Sequence, residues 1–251
     1  MPARTIDEVI QQLDAIIASE RAKKSPLGFF PALYRQVTVK VKQGIADNFF
    51  DDGPRMEQFD VIFANRYLTA FETYQSGNKP TRAWRVAFKA AADNELIILQ
   101  HLLLGINAHI NLDLGIAAAE VAPGSALPSL EGDFNKINDL LASLLDPAQE
   151  AINEFSPLLD LLDKVGGRTD EAIANFSIDK AREEAWENAQ LLAGQSPTQQ
   201  QSTINLLDRK VSFLGRLIEN PGYILSKALE IIRFAESRNV PAIIDALGSI
   251  Q

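Results

Sequence analysis

Leu96-Ile97-Ile98-Leu99-Gln100-His101-Leu102-Leu103-Leu104-Gly105-Ile106-Asn107-Ala108-His109-Ile110-Asn111-Leu112-Asp113-Leu114-Gly115-Ile116-Ala117-Ala118-Ala119-Glu120-Val121 is the stretch on which the fold turns. It is long and apolar, but Gln100, His101, Asn107, His109, Asn111 and Asp113 interrupt it. Lipid would not tolerate that polar load, so the sequence predicts no membrane span. The run is instead the core helix of a helical protein. The helical pattern extends back to Thr81 and forward to Ala122, about 60 Å at ~1.5 Å per residue. A bend is expected near Gly105 or Gly115.

Outward from this helix the period stays near 3.6. Helices are expected at about Ile6–Ala22, Pro31–Asn48 and Pro54–Tyr74 on one side. On the other they are expected at about Asp133–Glu154, Pro157–Lys164, Thr169–Asn175, Ser177–Ala193, Pro197–Glu219, Tyr223–Ser237 and Pro241–Leu247. Thr5 with Glu8 has the spacing of a capping box, and Asp133 reads as an N-cap. The β-branched run Val37–Val41 leaves a short strand as the alternative within the second helix. Pro123-Gly124-Ser125-Ala126-Leu127-Pro128 is the strongest linker signal. No change of composition accompanies it, so residues 123–130 read as a loop inside one unit. The expected architecture is all-α: a single-domain helical bundle over residues 1–251 around one long central helix, about residues 81–122.

The formal charge is −9, and no basic stripe offsets it. That argues against nucleic acid and anionic membrane surfaces as main partners. Nothing at the N-terminus has the form of an export signal, so the expected location is cytoplasmic. The absence of cysteine excludes thiolate metal sites and cysteine nucleophiles. No phosphate-binding glycine loop, nucleophile elbow or zinc-protease motif is present, and no cofactor is implied.

Charged groups on apolar helix faces are the candidates for function, because burying a charge is costly unless it is paired. Asp60 falls amid Met56, Phe59, Phe63, Tyr67 and Phe71, with Arg66 at the edge of that face. His109 and Asp113 lie one turn apart, about 6 Å along the axis. That spacing suits a histidine and its orienting carboxylate, or two ligands of one ion. His101 is two turns from His109, about 12 Å, too far to share a ligand. Asn107 and Asn111 form a second polar stripe. Arg182 sits at the centre of the face made by Ile178, Ala185, Trp186 and Ala189, and Asp60 or Asp113 is its expected partner. Asn138 points toward the same interior. The commoner role for each of these groups is structural: a core histidine bonded to its neighbours, or a buried ion pair.

Leu99–Gly115, together with Phe63–Leu68, Asp133–Asn138 and Ala181–Trp186, resembles a bacterial family of uncharacterised, all-helical proteins, over about residues 26–247. The resemblance implies a shared helical fold and brings no activity with it. The spacing His-x3-Gly-x3-His-x3-Asp also looks like part of the metal-binding helices of the all-α zinc phospholipases C. Those sites need further histidines and an N-terminal tryptophan. This chain has two histidines, and its tryptophans are Trp84 and Trp186, so a trinuclear zinc site is out of reach.

Three readings follow. The first is a buried polar pocket, lined by Asp60, Arg66, Asn107, His109, Asp113 and Arg182, that binds a small molecule. As an enzyme it would use His109 as general acid or base and Asp113 as its orienter. The second is a metal-assisted hydrolase built on His109, Asp113 and either Asp133 or Asp60. The third is a scaffold whose polar network fixes helix register. The sequence does not choose between an enzyme and a binding protein. It does predict that His109, Asp113 and Arg182 gather in one interior cluster beside Asp60 or Arg66.

Overall fold

The computed structural model describes residues 1–92, 95–162 and 177–250, and every regular element among them is helical. The helices are α1 (Ile6–Lys23), α2 (Phe29–Ala46), α3 (Gly53–Gln75), α4 (Arg82–Ala90) and α5 (Ile98–Ile106). A π-helical segment (Asn107–Leu114) joins α5 to α6 (Gly115–Val121). Then come α7 (Glu131–Phe155), α8 (Ile178–Ala193), α9 (Pro197–Glu219), α10 (Tyr223–Ala235) and α11 (Val240–Leu247). Val37–Val41 lies within α2, so the strand alternative falls. Residues 124–130 are 3-10 helical rather than a loop. The helix expected at Thr169–Asn175 and the end of the one at Pro157–Lys164 lie outside the described residues.

The expected central helix is two helices. α4 stops at Ala90, and a new one begins at Ile98. A helix start leaves backbone N–H groups without partners and carries partial positive charge, so it must be capped. Here most of the caps come from far away in sequence. The Ile98 N–H donates to the carboxylate of Glu236, just past α10, at 3.0 Å. The Ile97 N–H donates to Gln100 Oε1 at 3.1 Å. At the start of α4, the Arg82 and Ala83 N–H groups donate to Asp208 of α9 at 3.0 and 2.9 Å. Asp133 acts in the same way. It does not cap its own helix, which starts two residues earlier. Its carboxylate accepts from the Asp51 and Asp52 N–H groups, at 2.7 and 3.0 Å, where the chain enters α3. Local capping is found too: Thr5 Oγ1 accepts from the Glu8 N–H at 3.2 Å, while Glu8 reaches back to the Arg4 N–H at 2.6 Å.

Ile98–Val121 forms one rod, long and apolar enough by composition to cross a membrane, with mean hydropathy 1.4. Of that apolar window, 89% is buried inside the protein. α2, α3, α4, α8 and α9 pack around the rod, so segments from both sides of residues 123–130 share it as their core. Within the rod, the π turns close i→i+5 hydrogen bonds in place of the α-helical pattern. Helical phase counted from the α period therefore does not carry through residues 107–114.

Gly105 and Gly115 bracket this segment, and both are required by close contact. A Cβ at Gly105 would lie 2.6 Å from the Phe30 ring, and one at Gly115 would lie 2.5 Å from the Ala185 carbonyl oxygen. The second contact is with backbone at the α6–α8 crossing, which a side-chain rotation cannot relieve. Gly115→Ala is expected to destabilise the protein by about 1–3 kcal/mol, although alanine is the better helix former. Urea denaturation gives the value. Unchanged stability would mean that α8 can withdraw freely.

Candidate functional site

Asp113 and His109, one turn apart on the π segment, meet different partners. Asp113 is 1% exposed and bonded at both oxygens: Oδ1 accepts from Arg66 Nε at 2.8 Å, and Oδ2 accepts from Trp84 Nε1 at 2.7 Å. Burial pushes its carboxyl up, against the opposing pull of Arg66 and Trp84. This network borders an open groove of about 430 Å³, whose walls include Asn65, Arg66, Lys79, Trp84 and Glu120.

One turn earlier, His109 is 3% exposed inside an aromatic shell. Its ring stacks on Phe63, with centroids 3.6 Å apart and planes at 11°. Tyr34 meets it edge-on at 4.4 Å and Phe30 at 5.5 Å. Among the described residues, neither ring nitrogen has a hydrogen-bond partner, and neither do the buried hydroxyls of Tyr34 and Tyr67. Burial, then the nearby Arg66 charge, holds the imidazole pKa well below its usual value. The ring is therefore neutral at pH 7, with one donor and one acceptor unmet.

His109 borders a cavity of about 120 Å³ between α2, α3, the rod, α7 and α8. Tyr34, Phe63 and Arg182 line it too, and hydrocarbon from Leu33, Val37, Ile137, Leu144 and Ile178 makes up much of the rest. Arg182 is 4% exposed. Its Nε donates to Asn138 Oδ1, its Nη2 donates to the Phe134 carbonyl at 2.5 Å, and its guanidinium lies 4.5 Å from the Phe134 ring centroid. Burial lowers its pKa to about 10, partly countered by Asp179, so it keeps its charge at neutral pH.

These positions correct several expectations. No hydrogen bond joins His109, Asp113 and Arg182 among the described residues: His109 and Arg182 line the cavity, while Asp113 bonds Arg66 and Trp84 beside the groove. Asp113 does not orient His109, because both its oxygens are taken. Arg182 is paired with neither Asp60 nor Asp113, and its partners are neutral. Asp60 is 7% exposed and has no cation beside it among the described residues; its Oδ2 is unbonded. Burial, with Glu57 adding to it, pushes the Asp60 carboxyl up to about 7. Asn107 faces α9 instead. Its Nδ2 donates to the Val211 carbonyl at 3.0 Å, and its Oδ1 accepts from Asn111 at 3.0 Å. Among the described residues, no three histidine or acidic side chains converge as a metal site. The ligand set of the hydrolase reading is thus not assembled.

Tyr34, edge-on to His109, and Trp84, bonded to Asp113, are neighbours that the sequence does not signal, whereas Phe63 belongs to a visible pattern. Phe59, Phe63, Tyr67 and Phe71 recur every fourth residue on α3, and that aromatic ladder was the available signal.

Residues 6–221 match the model of DUF5995, a family of unknown function. No curated protein and no solved structure matches the chain. The match takes in α1 and ends before α10.

Proposed function

We propose, since the chain belongs to DUF5995 and that family has no assigned activity to transfer, that it binds a small, largely apolar molecule in the cavity beside His109. One observation carries this reading: a neutral imidazole with both nitrogens unbonded among the described residues lines a largely hydrocarbon cavity that also holds the buried Arg182. A buried polar group without a partner costs about 1–3 kcal/mol, and such a group in a folded protein calls for an explanation. A ligand offering a donor or an acceptor supplies one. Binding suits the site better than proton transfer does. A histidine with so low a pKa is a poor base at neutral pH, and no carboxylate orients it. The Asp113–Arg66–Trp84 network, with both carboxylate oxygens satisfied, reads as a register lock between α3, α4 and the rod.

His109→Phe tests the proposal. Phenylalanine keeps the stack on Phe63, removes both unbonded nitrogens and has free volume beside it. The empty variant is expected to be more stable than the parent by about 1–3 kcal/mol, and to lose binding of small apolar fragments that carry a hydrogen-bond donor or acceptor. Thermal melts with and without fragments read both effects. A variant less stable than the parent, binding fragments equally well, would overturn the reading.

A further inference from the structure

We propose that the cavity's ligand is a compact monocarboxylate, its carboxylate meeting Arg182 and its hydrocarbon body filling the apolar remainder of the cavity; this rests on the binding reading above. The buried Arg182 charge is only partly compensated, by Asp179 one turn before it. Arg182 is among the most deeply buried cations of the chain, yet no acidic side chain among the described residues forms an ion pair with it. A buried charge is ordinarily stabilised by a counter-ion, and a carbonyl and an amide oxygen replace only part of that. Nε and Nη2 are both taken, while Nη1 makes no hydrogen bond to any of the described residues. It is the one nitrogen of this guanidinium left to receive an anion.

The rest of the cavity sets what the anion is attached to. Leu33, Val37, Ile106, Leu141, Leu144 and Ile178 offer no polar side-chain atom. A phosphate or a dicarboxylate would need several donors to replace its hydration. One free guanidinium nitrogen matches a single carboxylate far better. Size follows from volume: an apolar cavity of ~150 Å³ accepts benzene, and this one is about 120 Å³. The body is therefore about six carbons, as in benzoate or hexanoate.

The test compares benzoate with its neutral isostere benzamide, and hexanoate with hexanamide, by calorimetric titration of the whole chain at pH 7. In the parent protein each acid is expected to bind about tenfold or more tightly than its amide, roughly 1.4 kcal/mol of preference. The preference should vanish in Arg182→Gln and persist in Arg182→Lys, which keeps the charge if the glutamine variant folds poorly. Amides that bind as well as the acids would overturn the carboxylate assignment and leave the binding reading standing. If neither acids nor amides bind the parent, both fall.

Discussion

Asp60→Asn is expected to be more stable than the parent protein at pH 8, and by much less at pH 5. The Asp60 carboxyl is buried without a cation among the described residues, and its pKa is pushed from 3.8 to about 7. Between those values the folded protein holds a proton that the unfolded chain has released. Stability therefore falls as pH rises through this window, and the loss is complete above pH 7. A tenfold change in proton affinity corresponds to about 1.4 kcal/mol. The advantage of asparagine should thus grow by about 3 kcal/mol between pH 5 and pH 8. Denaturant titrations of both proteins at the two pH values measure it. An advantage independent of pH would mean that the folded protein keeps this carboxylate ionised throughout.

Asp113→Ala should act in the opposite direction and at least as strongly. The substitution leaves the Arg66 guanidinium and the Trp84 indole N–H without their shared acceptor, and both Trp84 and the vacated space are buried. Removing one member of a buried pair costs about 3–5 kcal/mol. Asp113→Asn keeps an acceptor oxygen for Trp84 and should lose clearly less. Urea unfolding of the three proteins gives the order parent, asparagine, alanine. Alanine and asparagine variants of equal stability would mean that the Trp84 bond contributes nothing.

Most helix ends were legible because their signals are local. Ser177 and Ser196 sit at the starts of α8 and α9, and Asn239 caps α11, all within a few residues of the turns they serve. The break between α4 and α5 was not. Ala90-Ala91-Ala92 favours helix, and no glycine or proline marks the interruption. What secures the new start at Ile98 is Glu236, 138 residues away, and no sequence window spans that distance. Asp133 was misread for the same reason: its position suits its own helix, but its partners are Asp51 and Asp52.

The candidate site was legible as residues and not as geometry. His109, Asp113, Asp60 and Arg182 were visible because polar groups stood on apolar faces, and all four are buried. Their grouping was inferred from the cost of burying charges apart. That cost is met differently here: neutral acceptors hold Arg182, a raised pKa allows Asp60 to stay protonated, and His109 is neutral.

The two glycines that bracket those turns have a mechanical consequence. Phe30 presses against the rod at Gly105 and the Ala185 backbone presses at Gly115, so the rod is clamped at two points one wide helical segment apart. A rod clamped at both ends cannot rotate like a screw to absorb a change in its length. The number of residues between the clamps is then a fixed dimension of the protein, like the spacing of teeth on a gear. Removing one residue from the π segment would turn one clamp out of mesh, by about 100° if the α period returned. His109 would lose its bearing on the cavity even with every side chain that lines it unchanged.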